Sequence, residues 1–203
     1  YHHQIVAYSR YLASQSAGLA QWQVYGYTNE GREQGQMIIA NLPVGVSLEQ
    51  VQTNHQKRIQ GEKADPSLPV IINLSFNVHG NESVGMEAAI SSFYTLADPN
   101  NAKSQEWLKN QIVIIDPCIN PDGRDRYSNW YNQKMNTTLQ PDLQSQEHNE
   151  PWPGGRANHY LFDLNRDWAW QVQVESQQRL KVYQQWMPQL HLDFHEQGID
   201  NPF

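Results

Sequence analysis

At 203 residues the chain has the length of one domain and can bury a sizeable core. Hydrophobic residues make up 38% and charged residues 17%, and 7 Trp and 10 Tyr add large apolar area per side chain, so a globular chain is expected. A formal charge of −7 without a basic run argues against nucleic-acid binding, a single cysteine (Cys118) excludes a disulfide framework or a Cys-rich metal cage, and no segment is long enough to span a membrane.

Between residues 2 and 19 the apolar positions Ile5, Val6, Tyr8, Leu12 and Leu19 fit one helical face, with Gly18 near its end. Strands over 21–28 and 36–41 flank the turn-forming Asn29-Glu30-Gly31 and read as a hairpin. Ser47 caps a second helix running to about Gln60, and the loop 61–69 ends it. Residues 70–76 are a continuous β-rich apolar run, as in a strand covered on both faces. A helix over 82–96 offers Val84, Met86, Ala88, Ala89, Phe93 and Leu96 for packing and stops at Ala97-Asp98-Pro99. A buried strand follows over 112–115. Asn120-Pro121-Asp122-Gly123 then reads as a turn, opening a long polar loop to about Asn158; a loop of that length commonly lines a cleft. A helix over 170–186 and a strand over 189–194 complete the order. Buried strands alternating with helices imply an α/β domain over 1–203, with a mixed, largely parallel twisted sheet flanked by helices and ligands gathered at the carboxyl ends of strands.

Asn77-Val78-His79-Gly80-Asn81-Glu82 sets an imidazole and a carboxylate three residues apart directly after the apolar strand, which is the spacing of a zinc half-site. His195, ending Leu190-His191-Leu192-Asp193-Phe194-His195, is placed to supply a third ligand. Two His and one Glu satisfy a catalytic zinc site, which keeps its fourth position open. Each residue also has an ordinary reading. Glu82 can open a helix behind an Asn81 N-cap, and the histidines can be polar residues at strand ends. A second patch holds Gly155-Arg156-Ala157-Asn158 and Asp163-Leu164-Asn165-Arg166-Asp167-Trp168. Asn165-Arg166 reads either as a carboxylate clamp or as a surface arginine paired with Asp163 or Asp167. Arg124 and Arg126 read as solvated or salt-bridged.

Taken in order, His79-Gly80-Asn81-Glu82, Asn120-Pro121-Asp122-Gly123, Gly155-Arg156, Asp163-Leu164-Asn165-Arg166 and Asp193-Phe194-His195 resemble the zinc carboxypeptidase family, and the resemblance extends back to Glu30-Gly31-Arg32. It implies one zinc ion held by His79, Glu82 and His195, with Asp163 accepting from the far nitrogen of His79. It further implies that Asn165 and Arg166 hold the free carboxylate of a peptide. Arg156, ten positions before Arg166, would be the catalytic residue that stabilises the oxyanion formed when a zinc-polarised water attacks the scissile carbonyl. The expected partners are peptides or N-acyl amino acids with a free carboxylate, with neither nucleic acid nor membrane involved. In this family the general-base glutamate and the tyrosine that closes over substrate lie well beyond the third zinc ligand. Glu196 is not at the matching position, because adjacent side chains at a strand end point apart. The chain is therefore expected to be the metal-binding part of a longer peptidase, incomplete at its C-terminal end, that binds zinc and hydrolyses peptides poorly. Alternatives are a zinc-dependent deacylase acting on N-acyl amino acids, and a noncatalytic protein that captures peptide C-termini. Many relatives are exported and the chain begins at Tyr1 with no visible signal peptide, which points to a secreted or periplasmic protein.

Overall fold

A computed structural model describes residues 1–138 and 140–197. Its elements in order are α1 (His2–Gln15), β1 (Ala20–Tyr27), β2 (Glu33–Ala40), α2 (Leu48–Ile59), β3 (Val70–Phe76), α3 (Val84–Ala97), α4 (Ala102–Leu108), β4 (Gln111–Asp116), α5 (Pro121–Lys134), α6 (Val174–Trp186) and β5 (Leu190–Phe194), with single 3-10 turns at Gln146–His148 and Leu164–Arg166. The five strands form one mixed sheet in the order β1-β2-β4-β3-β5. β1–β2 and β2–β4 are antiparallel, whereas β4–β3 and β3–β5 are parallel. Parallel pairing is thus concentrated in the half of the sheet that carries the candidate ligands.

Side chains alternate across the sheet and divide the core in two. Met37, Ile39, Val113 and Ile115 pack with Leu12, Phe93 and Leu108 under α1, α3 and α4. Ile38, Ile112 and Ile114 pack with Val51, Val182 and Trp186 under α2 and α6. Ile38, Ile39, Ile112 and Ile114 are each at most 1% exposed. Burial at that depth stabilises by roughly 1.5–3 kcal/mol per side chain. The β1–β2 hairpin forms as the turn residues predict, with Gly31 at a positive φ of 76° that glycine adopts without a Cβ penalty. β2 begins three residues earlier than the apolar pattern suggested, because polar Glu33 and Gln34 are drawn into the ladder and Gln34 donates to the Ile119 carbonyl.

The largest departure from the sequence expectation is α5. Asn120-Pro121-Asp122-Gly123 starts a 14-residue helix instead of a loop. Asn120 caps it by accepting from Gly123 N–H, Pro121 stands in the first turn where its missing N–H costs nothing, and Asp122 complements the dipole. The remaining polar connection is correspondingly shorter. α4 was also unforeseen; Asn101 caps it through Ser104 N–H. α6 starts at Val174, four residues later than expected, and α3 at Val84, two residues later. Asn81 does not cap α3: its amide donates to Glu150, and the Glu196 carboxylate accepts from Val84 and Gly85 N–H.

Because β3 and β5 are parallel neighbours in register from Ile72↔Leu190 to Phe76↔Phe194, their carboxyl ends lie side by side. Phe76 and Phe194 stack there with ring centroids 4.4 Å apart. The chain beyond each strand therefore emerges at one point on the sheet's rim.

Candidate metal centre

Asn77 follows β3 with φ 56°, a left-handed conformation that Asn tolerates better than most residues. Its amide donates to the carbonyls of His79 (2.9 Å) and Glu82 (2.8 Å), drawing residues 79–82 into a tight turn. Gly80 is required within that turn: a Cβ on it would come within 2.2 Å of the Arg124 amide nitrogen and the Gly123 carbonyl carbon. The half-site is thus formed by backbone packing against α5 before any ligand side chain is considered.

The turn aims His79 Nδ1 at Glu82 Oε1, 2.7 Å away. His195, one residue beyond β5, brings its Nδ1 to 3.1 Å from Glu82 Oε2. The imidazole centroids are 5.0 Å apart, and one ligand atom from each of His79, Glu82 and His195 lies within 4.8 Å of the others. His79 is 3% exposed, so its ring is held within the protein. Two borderline nitrogens and one carboxylate oxygen, converging from a buried turn and a strand end, match the donor set a catalytic zinc site requires. The residues therefore fit that ion.

Both imidazoles are backed on their far side. His79 Nε2 lies 3.1 Å from Asp163 Oδ1, and His195 Nε2 lies 3.4 Å from Asp193 Oδ2. A carboxylate at Nε2 favours the tautomer whose Nδ1 lone pair is free. Asp163 Oδ1 also accepts from Asn165 N–H, and its Oδ2 from Arg156 Nη2 at 3.0 Å. On the other side, Ser75 donates to Asp193 at 2.8 Å, and the Arg179 guanidinium bonds Ser75 while lying 3.7 Å above the Trp168 ring. Sequence reasoning assigned Asp193 and Arg179 no role. The signal for Asp193 was its spacing: residues i and i+2 of a strand share a face.

Burial pushes the Glu82 and Asp163 carboxyls up, but hydrogen bonds and nearby charge outweigh it. Glu82 is held below its ordinary value chiefly by the bond with His79, and Asp163 chiefly by the charge of His79. Arg156, at 49% side-chain exposure, also lies 3.9 Å from Glu82. Arg166 is exposed and donates to the carbonyl of Asn165. Of its two suspected partners, Asp163 is engaged by Arg156, and Asp167 accepts from Val172 and Gln173 N–H. Glu196 and Glu147 are likewise committed, to the start of α3 and to Asn136. A second convergence, Glu30, Asp122 and His159, already holds a cation, since the Arg32 guanidinium bonds both acids.

The zinc carboxypeptidase model matches residues 5–189. No curated protein matches the chain. Among solved structures, a putative carboxypeptidase A from Shewanella denitrificans is 16% identical with a TM-score of 0.59, over 91% of this chain and 37% of its own. Carboxypeptidase A from Helicoverpa armigera is 18% identical with a TM-score of 0.57, over 97% and 45%. A metallo-carboxypeptidase from Pseudomonas aeruginosa, in complex with (2-guanidinoethylmercapto)succinic acid, is 16% identical with a TM-score of 0.54, over 92% and 38%. The chain spans less than half the length of each.

Proposed function

The chain belongs to the zinc carboxypeptidase family, and from that premise we propose that it supplies the zinc-binding and carboxylate-recognising part of a metallocarboxypeptidase. The observation that carries this reading is the meeting at Glu82: each of its oxygens faces the Nδ1 of a different histidine, and each histidine has a carboxylate behind it. His79, Glu82 and His195 would hold one zinc ion. When bound, such an ion supplies Lewis acidity toward a carbonyl and lowers the pKa of water.

The remaining work falls to the chain's own groups. Asp163 and Asp193 hold the Nε2 protons of the two imidazoles and keep the Nδ1 lone pairs aimed inward. Asn165 and Arg166 bind the terminal carboxylate of a peptide; the exposure of Arg166 and the engagement of Asp163 and Asp167 elsewhere favour that over a surface ion pair. Arg156, half exposed and resting on Asp163, is free to turn its guanidinium to the scissile carbonyl and stabilise the charge that develops on its oxygen. Residues 1–203 by themselves would bind zinc and turn over peptides slowly, because the carboxylates near the centre already have partners.

Zinc stoichiometry of the purified chain, measured after removal of loosely bound metal, tests the ligand set; about one zinc per chain is expected. Hydrolysis of N-blocked dipeptides against N-acylated amino acids by the purified protein tests the reaction. Preference for the acylated amino acids would replace the peptidase reading with the deacylase one.

A further inference from the structure

Arg124 is only 9% exposed. The sequence reading expected it to be solvated or salt-bridged; among the described residues it makes no ion pair and is largely buried. Other arginines show how such a group is normally settled. Arg32 bonds Glu30, Asp122 and Asp125; Arg126 donates to the carbonyls of Gly154, Ala157 and Asn158; Arg179 lies on Trp168. Among the described residues the Arg124 side chain has no hydrogen bond, ion pair or aromatic face, and its Nε is sealed from solvent without an acceptor. A guanidinium carries five donors and keeps its proton in proteins, so burying one without acceptors is strongly unfavourable.

Arg124 lines a pocket of about 500 Å³ between the start of α1, the 79–83 turn and α5. Tyr1, Gln4, Ser83, Tyr127, Ser128 and Tyr131 also line it with neutral hydrogen-bonding side chains, and Tyr1 carries the amino group that donates to Gln4 Oε1 at 2.9 Å. The Arg124 guanidinium therefore faces a pocket whose other lining side chains are neutral, and no described acid lines it. We propose that this pocket is a binding site for a carboxylate anion, gripped by the fork of Arg124 and the hydroxyls around it. The planar fork matches the two oxygens of a carboxylate, and the neutral side chains around it add no opposing charge. The site is distinct from the Asn165-Arg166 pair and does not depend on metal. It nevertheless adjoins the centre: Ser83 directly follows Glu82, and Gly80 packs on the Arg124 backbone.

The test titrates the metal-free chain with acetate, at ionic strength held constant with chloride, and follows backbone amide resonances. Saturable shifts at residues 83 and 124–128 are expected. Arg124→Gln should weaken acetate binding at least tenfold, Arg124→Lys by less, and Arg166→Gln by less than twofold. Should Arg124→Gln fail to fold, Tyr131→Phe combined with Ser128→Ala replaces it, with a several-fold loss expected. The absence of a saturable response, or an unchanged response in the pocket variants, overturns the proposal. Loss confined to Arg166→Gln also overturns it while leaving the Asn165-Arg166 reading intact. Tighter binding of inorganic phosphate than of acetate overturns the choice of carboxylate. An end-blocked peptide with one glutamate separates the two sources of the group: tighter binding than acetate identifies an acidic peptide side chain, and equal or weaker binding a small free acid.

Discussion

Replacing Asp193 by Asn or Ala tests its part in metal affinity and in fold stability. The Asp193 carboxylate is 26% exposed in its side chain and touches His195 Nε2 at 3.4 Å, while its other oxygen is held by Ser75 at 2.8 Å. Loss of a group behind a zinc-bound histidine typically weakens binding by about 10–100-fold, or roughly 1.4–2.8 kcal/mol. The 3.4 Å contact is longer than a strong charge-assisted bond, which places Asp193→Asn near the lower end, at about tenfold. Both variants also remove the acid 4.0 Å from the buried Arg179 guanidinium, and Asp193→Ala removes in addition the oxygen that accepts from Ser75. Breaking a fully buried pair costs about 3–5 kcal/mol, and the longer distance and partial exposure of Asp193 reduce this to about 1–2 kcal/mol of folding stability. Zinc affinity is read by competition with a chromophoric chelator, and stability by urea unfolding of the metal-free protein. Both variants should lower affinity and the urea midpoint, and Asp193→Ala should lower the midpoint further. Affinity unchanged in both variants would falsify the assignment of Asp193 to His195.

Further expectations concern separate parts of the molecule. His195→Ala should abolish stoichiometric zinc uptake, measured by metal analysis after dialysis; retention would refute His195 as a ligand. Arg166→Ala should leave zinc in place and weaken a dipeptide with a free carboxylate in calorimetric titrations. The loss is expected near the lower end of the ~2–5 kcal/mol seen for desolvated charge pairs, because Arg166 is exposed. Burial raises the Asp116 carboxyl from 3.8 to about 6, against the opposing bond from Tyr25. The folded protein therefore keeps this proton at pH values where the unfolded chain has lost it. Stability from Asp116 is full below about pH 4 and is lost as pH rises through about 6, by about 3 kcal/mol in all. The difference in urea stability between the protein and Asp116→Asn, followed from pH 4 to 8, should show that slope, and a flat difference would refute it. Gly80→Ala should destabilise the fold and the metal site together, seen as a lower melting temperature and lost zinc, because the added Cβ meets backbone atoms of α5.

The candidate cluster of His79, Glu82 and His195 was legible because each member follows an apolar strand, with His79 and Glu82 sharing one turn and His195 just past another strand's end. The alternating core strands were legible for the same reason. α5 was hidden because its buried residues are mostly polar, namely Asp122, Arg124, Asp125 and Ser128 along with Pro121 and Gly123, so no apolar periodicity marks it. Its Asn cap and first-turn proline were visible, but Asn-Pro-Asp-Gly is equally good turn chemistry. The backing of His195 by Asp193 and the burial of Arg124 depend on contacts between distant segments, such as Ser75 with Asp193, that spacing cannot reveal. Arg156 resting on Asp163 is the same kind of fact.

β5 joins the sheet through β3 alone among the described residues, and it delivers His195 to a carboxylate that belongs to the turn after β3. An ion shared by those residues would fasten the rim strand to the interior like a rivet joining points more than a hundred residues apart along the chain. Chelation should therefore loosen that border before the centre of the sheet, and amide exchange over residues 190–194 should quicken on metal removal while β4 stays protected.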